Sequence, residues 1–224
     1  MKETGLMFKA PLVRAVLEGR KTQTRRIVKP QPAPDKRFQG WILDSTDRKR
    51  IGKASWGRGT GGLVSDIECI GSPCGKPGDR IYVRETFVQG YKADPETGAV
   101  RDYDEEGNDI PMTTWYRATD GGITWGDDDG WETNVPWKPA IHMPKALARI
   151  WLEITGVRVE RLQEITPEDC IAEGLNTTLR ERDAEVNLKQ QFKELWESTG
   201  GDWAANPWVW VVDFKVLSTT GRPA

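Results

Sequence analysis

Pro11 to Val28 reads PLVRAVLEGRKTQTRRIV and lays out a helix, a turn and a strand in a single run. Pro11 suits the first turn of a helix, because its fixed φ is already helical and its missing N–H would have no partner there anyway. Leu12, Val13, Val16 and Leu17 recur at helical spacing, and Gly19 stands where a helix is capped. Past the glycine, Thr22 to Val28 has the β-branched content of a strand, with Thr22, Thr24, Arg26 and Val28 on one face. Lys29-Pro30 ends it, and a short strand at Leu6 to Lys9 precedes the helix. The turn is rich in cations: Arg20, Lys21, Arg25 and Arg26 surround two threonines. Such a turn can grip a phosphate with its charges, or it can force one of its own lysines to give its charge up.

Working outward, Asp79 to Val88 (DRIYVRETFV) is a second strand. Ala148 to Arg161 (ARIWLEITGVRVER) alternates Ile150, Leu152 and Ile154 with Arg149, Trp151 and Glu153, as a strand does, and Gly156 marks a bulge or turn. Thr166-Pro167-Glu168-Asp169 starts a helix with a threonine cap, a proline and first-turn acids, and Gly174 stops it after about two turns. A longer helix carries Leu188, Phe192, Leu195 and Trp196 on one face. Trp208 to Leu217 (WVWVVDFKVL) is apolar on both faces for half its length, which marks an interior strand. Two stretches lack this regularity. Gln31 to Gly75 is Pro-, Gly-, Ser- and charge-rich and reads as an insertion or a long mobile loop. The stretch from about Gln89 to Lys138 is acidic and holds Trp115, Tyr116, Trp125, Trp131 and Trp137, the composition of a lid or a satellite core. Strands outnumber helices and their connections are unequal, so the expected class is α+β: a small, mostly antiparallel barrel or curled sheet flanked by helices.

The chain has 224 residues, enough for one generous domain over 1–224 with insertions at about 31–75 and 89–138. Its net charge is −2, so no global field points to nucleic acid. The charge is unevenly spread, however: residues 11–37 are basic and residues 94–132 acidic. Charges break the N-terminus every few residues, and no later run reaches the roughly 18 apolar residues of a membrane helix. Three cysteines, Cys69, Cys74 and Cys170, are sparse and odd in number, which suits a reducing compartment and a cytoplasmic location. Zinc would need all three together with the single histidine, His142, so ordinary thiols and no metal or cofactor are the expectation.

Three islands carry a family resemblance: GLMFKAPLVRAVLEGRKTQTRRIVKP, KPGDRIYVRETF, and the closing region from IHMPKALARIWLEITGVRVERLQEITPEDCIAEG through NPWVWVVDFKV. Together they resemble ASCH-domain proteins of the PUA-like superfamily, in the long form common in phages and prophages. They cover a little over half the chain. The GRKTxTxR run is similar to that of small bacterial N4-acetylcytidine amidohydrolases, which lack the stretches corresponding to 31–75 and 89–138. The resemblance implies a PUA-like β-barrel and a catalytic trio of lysine, threonine and glutamate. Carried over, these are Lys21, Thr24 and, through the Leu162-Gln163-Glu164-Ile165-Thr166 turn, Glu173. It further implies hydrolysis of an N4-acylated cytidine, with RNA as a possible partner and no cofactor.

The chemistry sets conditions on these residues. A threonine hydroxyl is a poor nucleophile until a base takes its proton, and lysine is a base only when neutral. At an ordinary pKa roughly one lysine in 2,500 is neutral at pH 7, so Lys21 must be buried or crowded by cations such as Arg20, Arg25 and Arg26. Three positions is an odd offset along a strand, so Lys21 must lie in the turn before it if it is to meet Thr24. Glu173 falls in the last turn of its helix, where carbonyl ends disfavour negative charge and suit a group that alternates between acid and base; otherwise it is a solvated surface glutamate. Arg26 or backbone N–H groups are candidate oxyanion donors. Arg84 and Glu85 are either a cross-strand pair or polar groups of the substrate pocket, and their place in the GD strand favours the pocket. Two other functions stand beside it: an RNA- or DNA-binding module that uses the basic turn and, as the resemblance implies because related ASCH proteins have been assigned that role, a ribonuclease.

Overall fold

The computed structural model describes residues 1–59, 64–92, 100–104, 106–126 and 132–223. Trp131 of the acidic stretch lies outside the described residues. In chain order the elements are β1 (Glu3–Met7), α1 (Ala10–Leu17), β2 (Gln23–Ile27), β3 (Arg37–Trp41), β4 (Ala54–Arg58), β5 (Ser65–Ile70), β6 (Arg80–Arg84) and β7 (Phe87–Gly90). There follow β8 (Thr113–Tyr116), α2 (Arg117–Asp120), β9 (Trp125–Gly126), β10 (Glu132–Thr133), β11 (Trp151–Arg161), α3 (Pro167–Ala172), α4 (Glu181–Glu197) and β12 (Trp208–Ser218). The class is α+β. Among the described residues the helices include none long and apolar enough to cross a membrane.

The main sheet runs β1-β6-β11-β12-β2. Only β1 and β6 are parallel; the other pairings are antiparallel. β12 is interior, with β11 on one side and β2 on the other, which explains its apolar run. Its alternate residues feed two cores: Trp210, Val212 and Phe214 join Val13, Val16 and Ile154 on one face, and Val209 and Val211 join Leu188, Phe192 and Trp196 of α4 on the other. A register shift between Ile154 and Gly156 makes Gly156 part of a bulge in β11.

The described residues of 31–75 do not form a loose loop. β3, β4 and β5 pair antiparallel into a three-stranded sheet, and Ala54 and Trp56 are fully buried in the first core. Trp56 meets Trp210 edge-on at 6.2 Å and Phe38 at 5.5 Å, so this sheet is fastened to the main one by aromatic contact. Two register shifts, at Phe38/Gly40 and Trp56/Arg58, disrupt the alternation that would have marked these strands. The second irregular stretch also holds structure: β7 and β8 pair antiparallel in a two-stranded sheet, and Trp115 packs edge-on against Trp125 at 5.8 Å.

β1 and β2 form the two edges of the main sheet, and the order of strands leaves them without a shared ladder. The cavity described next lies along both.

Candidate active site

The turn between α1 and β2 places Lys21. The N–H groups of Arg20 and Lys21 both donate to the Ala15 carbonyl at the end of α1, at 2.9 and 3.0 Å, and Gly19 takes a φ of +72° to allow it. The Thr22 N–H then donates to Ala172 O at the end of α3, at 2.8 Å. Lys21 is therefore held in the turn and not on the strand, between two helix ends, and is fully buried.

β2 sorts its residues by pairing. The bonds Phe214 N–H to Thr22 O and Val28 N–H to Trp208 O show that even-numbered residues face β12 with their backbone. The carbonyls of Gln23 and Arg25 consequently turn outward, toward the open edge. Side chains take them up: Lys21 Nζ donates to Gln23 O at 2.7 Å, and Arg26 Nη1 to Arg25 O at 2.8 Å. Arg26 also donates to Thr24 Oγ1 at 2.8 Å and, across the gap, to Met7 O of β1 at 3.2 Å.

α3 supplies the carboxylate. Its start is capped as the sequence indicates, with the Asp169 N–H donating to Thr166 Oγ1 at 3.2 Å and the Thr166 N–H to Asp169 Oδ2 at 3.3 Å. Glu173 is the C-cap and is buried. Gly174 follows with a φ of +97°; a Cβ there would stand 2.8 Å from Ala15 Cβ and 3.2 Å from Lys21 Cβ. Glycine thus lets α3 close onto the lysine turn. Lys21 Nζ reaches Glu173 Oε2 at 2.5 Å and Glu173 O at 2.9 Å, which with Gln23 O gives each ammonium proton an acceptor. Burial pulls the Lys21 amine down from the ordinary lysine range; Glu173 opposes this, and Arg26 and Arg25 add to it.

A cavity of about 780 Å³ opens between the sheet edges and α4, and Thr24, Arg26 and Glu173 line it together with Phe8, Cys74 and Phe192. Lys21 lies behind this wall. The structure thus brings Lys21 onto Glu173 and Arg26 onto Thr24, while the partners of Lys21 Nζ are Gln23 and Glu173 and not the Thr24 hydroxyl. Arg84 and Glu85 stand elsewhere: the Arg84 guanidinium donates to the carbonyls of Ile141 and Met143, and Glu85 is gripped by Arg149 at 2.9 and 3.0 Å. Neither lines the cavity. Arg20 turns to Glu18 and Gly174 O. Cys74 sits in the first core and Cys170 in the second, while His142 is exposed, so the four do not meet. Among the described residues no group of three His, Cys, Asp or Glu side chains could hold a metal.

Sequence reasoning named Arg25 only as a cation near Lys21 and did not pair it with the carboxylates it meets. Arg25 donates to Gln23 Oε1 at 2.5 Å, Asp169 Oδ2 at 2.8 Å, Glu160 Oε2 at 3.2 Å and Glu173 Oε1 at 3.4 Å. The four-residue spacing of Asp169 and Glu173 on α3 was the available signal, since such a pair shares one helix face.

Compared with family models, with curated proteins and with solved structures, the chain gives no match.

Proposed function

We propose that this protein is an amidohydrolase that removes the acyl group from the exocyclic amine of an N4-acylated cytosine nucleoside, such as N4-acetylcytidine, in the cytoplasm. The observation that carries this reading is a lysine buried against a glutamate behind the wall of a cavity that Glu173, Thr24 and Arg26 line. The same reading takes the main sheet for a PUA-like barrel left open between β1 and β2, with the open seam as the substrate cleft. The bridge from Arg26 to Met7 O supports it.

Burial disfavours the Lys21 ammonium, and Glu173 Oε2 stands 2.5 Å from Nζ, near enough to take its proton. With the proton on Oε2, Lys21 is a base and Glu173 an acid. Thr24 Oγ1 attacks the acyl carbonyl as Lys21 takes its proton, and the Arg26 guanidinium, already on Oγ1, stabilises the developing oxyanion. Glu173 then protonates the departing amine, and cytidine leaves. The resulting carboxylate draws a proton from the water that cleaves the acyl-threonine, and Lys21 returns its proton to Oγ1. One water is consumed and one carboxylic acid released, with the pair restored.

Incubation with N4-acetylcytidine, followed chromatographically, tests this: cytidine and acetate are expected in equal amounts. Absence of cytidine, combined with RNA binding that weakens steeply with salt, would instead support a nucleic-acid-binding role.

A further inference from the structure

We propose that Arg25 is a positioning residue for the Lys21–Glu173 pair: clamped to one face of α3, it fixes the second oxygen of Glu173 and sets a permanent positive charge beside Lys21. The inference rests on the function proposed above for its catalytic consequence, but its structural content does not depend on that function.

Strand alternation sends Arg25 to the opposite side of β2 from Thr24 and Arg26. There it meets α3 and α4. Asp169 and Glu173 lie one turn apart on α3 and both face the guanidinium, Asp169 on Nη2 and Glu173 on Nη1. The planar fork thereby fixes the rotation of α3 about its axis, and with it the place of Glu173. The two Glu173 oxygens are divided, Oε1 to Arg25 and Oε2 to Lys21, so the carboxylate cannot swing toward the cavity without breaking one ion pair.

The outer side of the clamp is itself held. Arg158 bonds Asp169 Oδ1 at 2.7 Å and Asp213 Oδ2 at 3.1 Å and also pairs with Glu160, while Gln23 links Arg25 to Asp213 through its amide at 2.8 Å. Phe192 of α4 closes the last side, with the Arg25 guanidinium 5.7 Å from its ring centroid. The charged groups in this cluster are Lys21, Arg25 and Arg158 against Glu160, Asp169, Glu173 and Asp213, with Arg26 on the Thr24 side of the strand and the Cys170 thiol, pushed up to about 12 by burial, beneath α3. Within it Arg25 is the cation that touches both the pair's carboxylate and the network behind it. Its charge disfavours the Lys21 ammonium, in the direction the mechanism needs.

The test uses full-length protein labelled with 13C at the lysine ε carbons, so that the Lys21 titration is read without reference to turnover. Arg25→Met keeps the length and the packing on Phe192 but removes the charge; the Lys21 midpoint is expected to move to higher pH, and kcat on N4-acetylcytidine to fall at least tenfold with KM little changed. Arg25→Lys keeps the charge but loses the fork; its Lys21 midpoint should stay near that of the parent, while kcat falls by a similar factor because Glu173 is no longer fixed. A folded Arg25→Met protein with an unmoved Lys21 midpoint would overturn the proposal. Should Arg25→Met not fold, Arg25→Lys decides: parental kcat in that variant overturns the positioning role. If the parent releases no cytidine, the function falls, and the Arg25→Met titration still decides for or against the clamp, with the Lys21 midpoint of Arg25→Lys against that of the parent deciding where Arg25→Met does not fold.

Discussion

Lys21 Nζ lies 2.5 Å from Glu173 Oε2, although the two residues are 152 positions apart. The contact is made possible by Gly174, whose missing side chain lets the end of α3 settle on Ala15 and Lys21. One proton shared by this pair is the state in which both a base and an acid are present.

Activity should be bell-shaped in pH, because the pair works with one proton and fails with two or none. The alkaline limb, where the last proton leaves, should fall below the ordinary lysine range, since burial lowers Lys21 and Arg26 and Arg25 reinforce it. A kcat/KM profile that stays flat up to the usual lysine titration would speak against a depressed Lys21.

Thr24→Ala should lose at least 100-fold in turnover, the lower end of general-base assistance, and Lys21→Ala about as much. The double variant should lose little more, because residues acting as one unit are not additive. Thr24→Ser should keep a measurable fraction, as it retains the hydroxyl. Additive losses measured in single-turnover experiments would separate the two residues and remove the nucleophile–base assignment.

Asp169 links the cap of α3 to Arg25 and Arg158. Burial alone would raise its carboxyl, but Arg25, Gln23, the Thr166 N–H and Arg158 together hold it below the ordinary aspartate range. Its folded value is depressed, so its contribution to stability is full above the unfolded value near 3.9 and fades as pH falls through the folded one. Its side chain is 13% exposed, so Asp169→Asn should cost roughly 2–3 kcal/mol at pH 7, somewhat less than a fully buried pair. Urea denaturation at pH 7 and near pH 2 should show the penalty shrinking at the lower pH; an equal penalty at both would contradict the linkage.

Trp56 joins the small sheet to the main one through Trp210 and Trp208. Trp56→Ala should destabilise the protein by about 3–5 kcal/mol, as large buried aromatics do on truncation. Limited proteolysis of the parent should spare Arg37–Trp41 and Ala54–Arg58. Early cleavage inside β4 would mean that this sheet is not part of the folded core.

Much of this was legible in the sequence, for definite reasons. α1, its glycine cap and β2 carry local signals: Pro11, Gly19 and β-branched alternation. α3 announces itself through Thr166-Pro167 and its first-turn acids. That Lys21 should sit in the turn followed from strand geometry once the resemblance had paired it with Thr24. The β3-β4-β5 sheet was not legible, because two register shifts break its period and β4 is buried on both faces. The partners of Arg84 and Glu85 were not legible either: Met143 and Arg149 lie 59 and 64 positions away, and no local pattern announces such pairings. Arg25 looked like one more cation in a basic turn, and only the position of α3 shows that its charge is directed at Asp169 and Glu173.

The most direct measurement is cytidine release from N4-acetylcytidine by Lys21→Arg beside the parent protein. Arginine keeps the positive charge but stays protonated at any working pH, so it cannot serve as a base. The parent should release cytidine, and Lys21→Arg should be at least 100-fold slower, about as slow as Lys21→Ala. A Lys21→Arg protein with close to parental activity would contradict the neutral-lysine mechanism, and a parent that releases no cytidine would contradict the function itself.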